Sequence, residues 1–475
     1  MSIPGGARLR ASTAATMTVT LKKPTPACIP VHLTDRDHLA QHSSVLTPAE
    51  RQWLATVGFT GAPDTHALLP DDQGRLQAVW AGVRSASHPY ALSALPKALP
   101  AGRYCLGEAG FAADAEAAAL SWGLGGYSFT RYKPARRAPA ELLLPASAAA
   151  QRGLLVAEAI TQTRDLVNTP AEHLGPADLA AAAQAVARQH GAKFKQTTGE
   201  ALRKTGFPAI HAVGRAADAA RAPRLIELRW GSSKAPKLTL VGKGVCFDSG
   251  GLDIKGAEGM RQMKKDMGGA ANALGLASLV MALELPVQLT LLIPAVENAI
   301  AGNAYRPGDV FQTRAGLHIE IGNTDAEGRV ILCDALAYAA EAKPDLIIDM
   351  ATLTGAARVA LGGQLPALFC RSMAMARDIV DLGLAQHDPL WHLPLWAGYH
   401  AGIESDIADI VNTGRGPQAG AINAALFLED FVPAGVDWLH IDLFAWNDSA
   451  RPGRPVGGEA QTIRTLLAWL QQRYA

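Results

Sequence analysis

Neither positive nor negative charge is in excess in this chain of 475 residues. Its 44 Lys and Arg stand against 43 Asp and Glu, a formal net charge of +1, which excludes a strongly basic nucleic-acid coat as the first reading. Cysteine is scarce as well. Cys28, Cys105, Cys246, Cys333 and Cys370 are too few and too scattered for a disulfide scaffold, and no two sit at CxxC spacing, so a reducing, cytoplasmic setting is expected. No window reaches the roughly 20 uninterrupted apolar residues needed to cross a bilayer. The greasy run Leu154 to Ile160 is broken by Glu158, and a soluble protein with no membrane partner is expected. The 13 histidines hold no HExxH pattern, which removes the helical zinc-protease signature. His387, His392 and His400 read as surface or satisfied core residues.

What is present is an ordinary folded composition, 49% hydrophobic, over a length that exceeds what one core serves, so two domains are expected. The first 34 residues lack Asp and Glu and carry Arg8, Arg10, Lys22 and Lys23. Pro4, Gly5 and Gly6 spoil a helix there, which favours a loose extension over an organelle transit peptide. The N-terminal third reads as short elements: a helix over Thr47 to Thr56, a strand over Leu76 to Val83, a helix over Ala113 to Trp122. Prolines in Tyr132 to Pro139 mark an irregular basic connection. Residues 1–145 are therefore expected to form a smaller α/β domain, 146–168 a linker helix, and 169–475 the larger catalytic domain. There Lys237 to Phe247, Val287 to Ala295, His318 to Gly322, Asp345 to Ala351 and Asp437 to Phe444 read as strands. Gly259 to Leu283, Arg329 to Ala342 and Glu459 to Arg473 read as helices. This alternation predicts an α/β fold with a central mixed sheet flanked by helices. In such sheets ligands gather at the carboxyl ends of the strands.

Three clusters carry chemistry. Asn323-Thr324-Asp325-Ala326-Glu327-Gly328-Arg329 stands where a short strand ends and a helix begins, so Asp325 and Glu327 can face one point. Taken alone it reads equally well as helix capping. Val241 to Lys255 ends another apolar strand with Lys243, Asp248 and Lys255 among glycines, which alone is also compatible with a solvated hairpin. Met263-Lys264-Lys265-Asp266-Met267-Gly268-Gly269 puts Asp266 on an inward side, where a lone carboxylate is costly unless paired or bound to metal. Lys264 and Lys265 are most simply solvated, and the methionines are packing residues. Together Asp248, Asp266, Asp325 and Glu327 form an oxygen-rich set able to hold two divalent cations, for which hydrolysis is the natural reaction. Ligation without histidine suits Mn, Mg, Zn or Co. Ser249 resembles a serine-protease nucleophile only in its neighbours Asp248, Gly250 and Gly251, with no triad around it.

These clusters closely resemble the leucyl (cytosol) aminopeptidase family of dinuclear metallo-exopeptidases. The heptad at 323 to 329 matches throughout, with Val330 where the family usually has Leu, and the likeness runs from about Asp165 to about Trp446. The resemblance implies that Lys243, Asp248, Asp266, Asp325 and Glu327 bind two metal ions, Mn or Zn, and that Lys255 and Arg329 are catalytic. It implies further that Lys255 stabilises an oxyanion, that Arg329 anchors a bicarbonate ion, and that a free substrate amino group sits by Asp266. Thr352, Leu353, Thr354 and Gly355 resemble the substrate loop and Met263 borders the pocket, which implies apolar first residues such as Leu in short peptides. For Thr354-Gly355 a plain helix start is an equal reading. The family also implies a homohexamer of two trimers. Asn447 to Gly458 departs from the usual family ending. A two-metal phosphoesterase is the nearest chemical rival. Because some relatives bind DNA, the run Arg131, Lys133, Arg136 and Arg137 is a candidate nucleic-acid surface, and a solvated face explains it more simply.

Overall fold

A capping box opens the helix Pro48–Thr56: the Thr47 hydroxyl accepts a hydrogen bond from the Glu50 amide, and the Glu50 carboxylate accepts one from the Thr47 amide. Such local signals recur along the chain in the computed structural model, which describes residues 18–41 and 46–475. The extension expected over the first residues lies largely outside that range. The chain divides into two compact units, residues up to Thr161 with Ser449–Val456, and Gln162–Asp448 with Gly457–Ala475. The passage between them falls within one helix, Ala148–Asn168.

The first unit is built on six strands: β1 (Val19–Leu21), β2 (Ile29–Thr34), β3 (His66–Pro70), β4 (Leu76–Gly82), β5 (Arg103–Gly110) and β6 (Glu141–Leu144). They lie in the order β1-β6-β5-β2-β4-β3, parallel except for the β3/β4 hairpin. Val31, Val79, Leu99, Tyr104, Trp122 and Leu142 form its core, and Trp122 donates its indole N–H to the Ala140 carbonyl at 2.9 Å. Each fully buried apolar side chain of this kind contributes about 1.5–3 kcal/mol. The cysteine-based expectation of a reducing setting meets a bridge here. Cys28 and Cys105 form a disulfide with their Cα atoms 5.9 Å apart. One bridge is no scaffold, but it removes the cysteine-based ground for a reducing compartment. Spacing concealed it because the register of β2 on β5, which pairs Pro30 with Cys105, brings together residues 77 positions apart. Cys246, Cys333 and Cys370 are free and buried.

The second unit carries β7 (Lys193–Thr198), β8 (Arg224–Trp230), β9 (Lys237–Gly242), β10 (Gly244–Asp248), β11 (Gln288–Asn298), β12 (Val310–Gln312), β13 (His318–Glu320), β14 (Leu346–Ala351), β15 (Ala367–Cys370), β16 (Trp391–His392), β17 (Ile410–Val411) and β18 (Asp437–Asp442). Its main sheet runs β16-β15-β18-β14-β9-β11-β8-β7, with β10 also on β11. The centre, β18/β14/β9/β11, is parallel. Antiparallel β8 and β7 extend one side and β15 joins antiparallel on the other, so the sheet is mixed. Every residue of β14 is buried, as a strand covered on both faces requires. The helix Gly268–Ala282 is small and apolar nearly all round and packs close to β9 and β14. A Cβ at Gly269 would stand 2.1 Å from the Met350 carbonyl oxygen, so only glycine permits this approach.

The expected continuous helix from Gly259 to Leu283 is corrected. A short turn at Ala257–Met260 and a 3-10 turn at Met263–Met267 precede Gly268–Ala282. The tighter turn buries Lys265, Asp266 and Met267 in succession, which a regular helix with one inward face would not. The closing helix starts at Ile463, not Glu459, because Glu459 is held in a buried pair with Arg164 at 3.0 Å. No helix among the described residues is long and apolar enough to cross a membrane.

Candidate metal centre

Parallel strands end together, and β9, β10, β11, β14 and β18 all deliver polar residues at their carboxyl ends. Just past β9, Lys243 is 3% exposed, and its Nζ lies 2.9 Å from Asp266 Oδ2 and 2.9 Å from Glu327 Oε1. It also donates to the Thr352 carbonyl at 2.9 Å. Gly328 makes room: a Cβ there would meet Lys243 Nζ at 2.7 Å. Asp248, the last residue of β10, accepts from the Gly250 amide and the Asn298 amide group, each at 2.9 Å. Its second oxygen lies 2.7 Å from Lys255 Nζ, and Lys255 pairs as well with Asp325.

The heptad turn is held from three directions. Asn323 accepts from the Asp325 amide at 2.7 Å, Thr324 donates its hydroxyl to the Gly250 carbonyl at 2.6 Å, and Asn412 accepts from the Gly322 amide at 2.7 Å. Carboxylate oxygens of Asp248, Asp325 and Glu327 consequently lie within 4.8 Å of one another. Asp266 stands beside this trio, joined to it through Lys243. The Thr352 hydroxyl donates to Asp266 Oδ1 at 2.7 Å. Leu353 and Thr354 are fixed by Asp442, which accepts from both amides (3.0 and 3.2 Å) and from the Thr354 hydroxyl at 2.6 Å. Thr354 also caps the helix Gly355–Leu361 by accepting from the Ala357 amide, as the helix-start reading of that pair expects. Met263 is half-buried at the start of the 3-10 turn.

Electrostatics mark the cluster as unfinished with protein groups alone. Burial, then the Asp248 charge, push the Glu327 carboxyl up to about 8 against the pull of Lys243. Burial and Asp248 raise Asp325 to about 6 despite Lys255. Burial alone would lower the Lys243 amine, but Asp266, Glu327 and Asp248 outweigh it and hold it above its ordinary value. Glu327 Oε2 is buried with no hydrogen-bond partner among the described residues, the condition a bound cation relieves. Hard carboxylate oxygens with one amine fit Mn or Zn. Arg329 is 8% exposed, makes no ion pair among the described residues and leaves Nε without a partner. Burial lowers its guanidinium to about 10.

Sequence reasoning missed several supports. Asn298 holds Asp248, Asp442 holds the substrate-like loop, and beside it lies a fully buried pair, His440 Nδ1 to Asp349 Oδ1 at 2.6 Å, with Trp438 donating to Asp349 at 2.7 Å. The available signal was polar residues closing apolar strands. Lys264 and Lys265, expected in solvent, are corrected. Lys264 donates to the Asn168 carbonyl at 2.7 Å, and Lys265 is buried, its ammonium pushed down to about 8 by that burial.

Fold and site define the class: a two-domain α/β protein with a carboxylate-rich centre suited to divalent cations at its strand ends. Comparison with known proteins gives the family. The catalytic domain of the cytosol aminopeptidase family matches residues 161–467, and the M17 aminopeptidase N-terminal domain matches 29–145. The probable cytosol aminopeptidase of Geobacter sp. (strain M21) is 37% identical over 451 residues, covering 91% of this chain and 88% of the relative. That of Syntrophotalea carbinolica is 44% identical over 330 residues, covering 69% and 66%. Among solved structures, the cytosol aminopeptidase of Coxiella burnetii shares 48% identity with a TM-score of 0.91, covering 96% of this chain and 100% of that one. The bottromycin maturation enzyme BotP in complex with Mn shares 32% at a TM-score of 0.83, covering 97% and 100%. The chain belongs to the cytosol aminopeptidase family and is a metal-dependent aminopeptidase.

Proposed function

We propose that this aminopeptidase removes Leu and other apolar first residues from short peptides, with Lys243, Asp248, Asp266, Asp325 and Glu327 as metal ligands and Lys255 and Arg329 as catalytic residues. The observation that carries the reading is the buried, partnerless Glu327 Oε2 within a set of acids drawn from three distant stretches. Two divalent ions, Mn or Zn, supply when bound a Lewis acid for the scissile carbonyl and an activated water.

The chain's own residues do the rest. Lys243 is charged while only acids surround it, and serves as a ligand by giving up its proton, which adjacent cations favour. Lys255 is held charged, since Asp248 and Asp325 outweigh the effect of its burial. Its ammonium offsets the negative charge that develops on the substrate carbonyl oxygen. Arg329 has no acid partner among the described residues and carries a planar donor fork that suits bicarbonate, which would carry protons the guanidinium cannot. Asp266, oriented by Thr352, receives the free amino group of the substrate, which restricts cleavage to the first residue. Backbone groups of Thr352 and Leu353 align the peptide, and Met263, Thr354 and Gly355 border the pocket. A homohexamer working in the cytoplasm, with 1–145 as the smaller domain, 146–168 as the linker and 169–475 as the catalytic domain, completes the proposal.

The test is chelation followed by Mn or Zn replacement during hydrolysis of Leu-p-nitroanilide. Activity is expected to vanish and return. Undiminished digestion by chelated, folded protein would overturn the reading.

A further inference from the structure

Lys265 and Arg358 grip one aromatic ring. Lys265 Nζ lies 4.9 Å from the centroid of Phe444, and Arg358 Cζ lies 4.8 Å from the same centroid. Such contacts are favourable but modest, and a buried ammonium ordinarily requires an anion. Lys265 is only 5% exposed, yet among the described residues neither its ammonium nor the Arg358 guanidinium makes an ion pair or a side-chain hydrogen bond. The acids whose charge reaches Lys265 are committed elsewhere: Asp266 to Lys243 and Thr352, Asp442 to Leu353 and Thr354.

Their position is specific. Phe444 follows β18 by two residues, and Arg358 sits on the helix Gly355–Leu361 that follows β14, the parallel neighbour of β18. Lys265 adjoins Asp266 on the 3-10 turn. The platform is fixed: the amides of Phe444 and Ala445 donate to Gln461 Oε1 at 3.0 and 2.8 Å, and Ala445 is held at φ +52°. A non-glycine residue in that region persists only where its surroundings impose it. Lys265 thus issues from the same turn as Asp266, and its ammonium is close enough to feel the charges of Asp266, Lys243, Arg358 and Asp442.

We propose that Lys265 and Arg358 form an anion-accepting end to the first-residue pocket, so that the enzyme also takes peptides beginning with Glu or Asp. This rests on the aminopeptidase reading above, in which the substrate amino group lies by Asp266. The side-chain carboxylate of the first residue completes the ion pairs that the protein leaves open.

The experiment compares kcat/KM for Glu-p-nitroanilide and Leu-p-nitroanilide, which carry no C-terminal carboxylate, using Mn-loaded wild type, Lys265→Met, Lys265→Arg and Arg358→Met. The Glu-to-Leu ratio is expected to fall about 10- to 100-fold in Lys265→Met, the range of a lost charge-assisted hydrogen bond. It is expected to recover in Lys265→Arg and to fall less in the more exposed Arg358→Met. A ratio unchanged in Lys265→Met, including the case where both substrates decline together, overturns the proposal while leaving the aminopeptidase reading standing. Failure of the loaded wild type to cleave either substrate overturns both.

Discussion

Replacing Glu327 by Gln is the sharpest single perturbation of the centre. Glu327 is 1% exposed, with one oxygen 2.9 Å from Lys243 and the other without a partner. Because burial and Asp248 lift its carboxyl to about 8, the metal-free protein holds it neutral at pH 7. Gln then replaces a neutral group of the same shape, and stability without metal is expected to change by less than about 1 kcal/mol. With a cation the comparison differs. A unit charge lost about 4 Å from another is worth about 4 kcal/mol at an effective dielectric near 20. A dication doubles that, and relief of repulsion from Asp248 together with the retained amide oxygen returns part of it. A net loss of about 4 kcal/mol corresponds to about a thousandfold weaker metal binding. At Mn about 100-fold above the wild-type Kd, wild type gains about 2.7 kcal/mol of stability, whereas the variant gains almost nothing. Thermal melts across an Mn series, run beside Leu-p-nitroanilide hydrolysis, read both quantities. A Gln variant that keeps wild-type metal-dependent stabilisation and activity would refute the reasoning.

Proton linkage gives a second expectation. Glu327 titrates near 8 and Asp325 near 6 without metal, both raised, so the metal-free form holds protons that a cation must displace. Affinity should therefore rise with pH, most steeply below about 8, with proton release on binding at pH 7. Calorimetry in buffers of different ionisation enthalpy measures it, and buffer-independent heats would contradict it. Thr352→Val removes the 2.7 Å hydrogen bond to Asp266. It should lower kcat/KM about 10- to 100-fold, and a change under twofold would exclude a positioning role. Arg164→Met strands the buried Glu459 carboxylate and should cost about 3–5 kcal/mol, read as a lower midpoint in urea. Reduction of the Cys28–Cys105 bridge, whose cysteines are 77 residues apart, should cost the first unit up to about 4.5 kcal/mol by the loop-entropy account. A Cys28→Ser variant that melts with the oxidised wild type would argue against it.

The parts of the centre legible in the sequence are those that lie close together along the chain. Lys243 and Asp248 flank one strand, Asp325 and Glu327 share one turn, and each stretch breaks an apolar strand pattern with charge. Strand and helix alternation likewise made the mixed sheet legible. What stayed hidden depends on pairing across long separations. Asp442 meets Leu353 only because β18 lies beside β14, and Asn298 reaches Asp248 because β10 lies on β11. Cys28 meets Cys105 through β2 and β5. The burial of Lys265 was missed for another reason. A regular helix gives each residue a fixed face, whereas the 3-10 turn over Met263–Met267 puts Lys265, Asp266 and Met267 inside together.

Ser449–Val456 belongs to the first unit although nearly all of the second precedes it. Arg454 there donates to the Tyr90 hydroxyl at 2.8 Å and rests on its ring. Domains emerging from a ribosome generally fold in order of synthesis, but one segment of this unit is made hundreds of residues after the rest. During translation the Tyr90 ring goes without its Arg454 contact until a residue 364 positions further along the chain has been made.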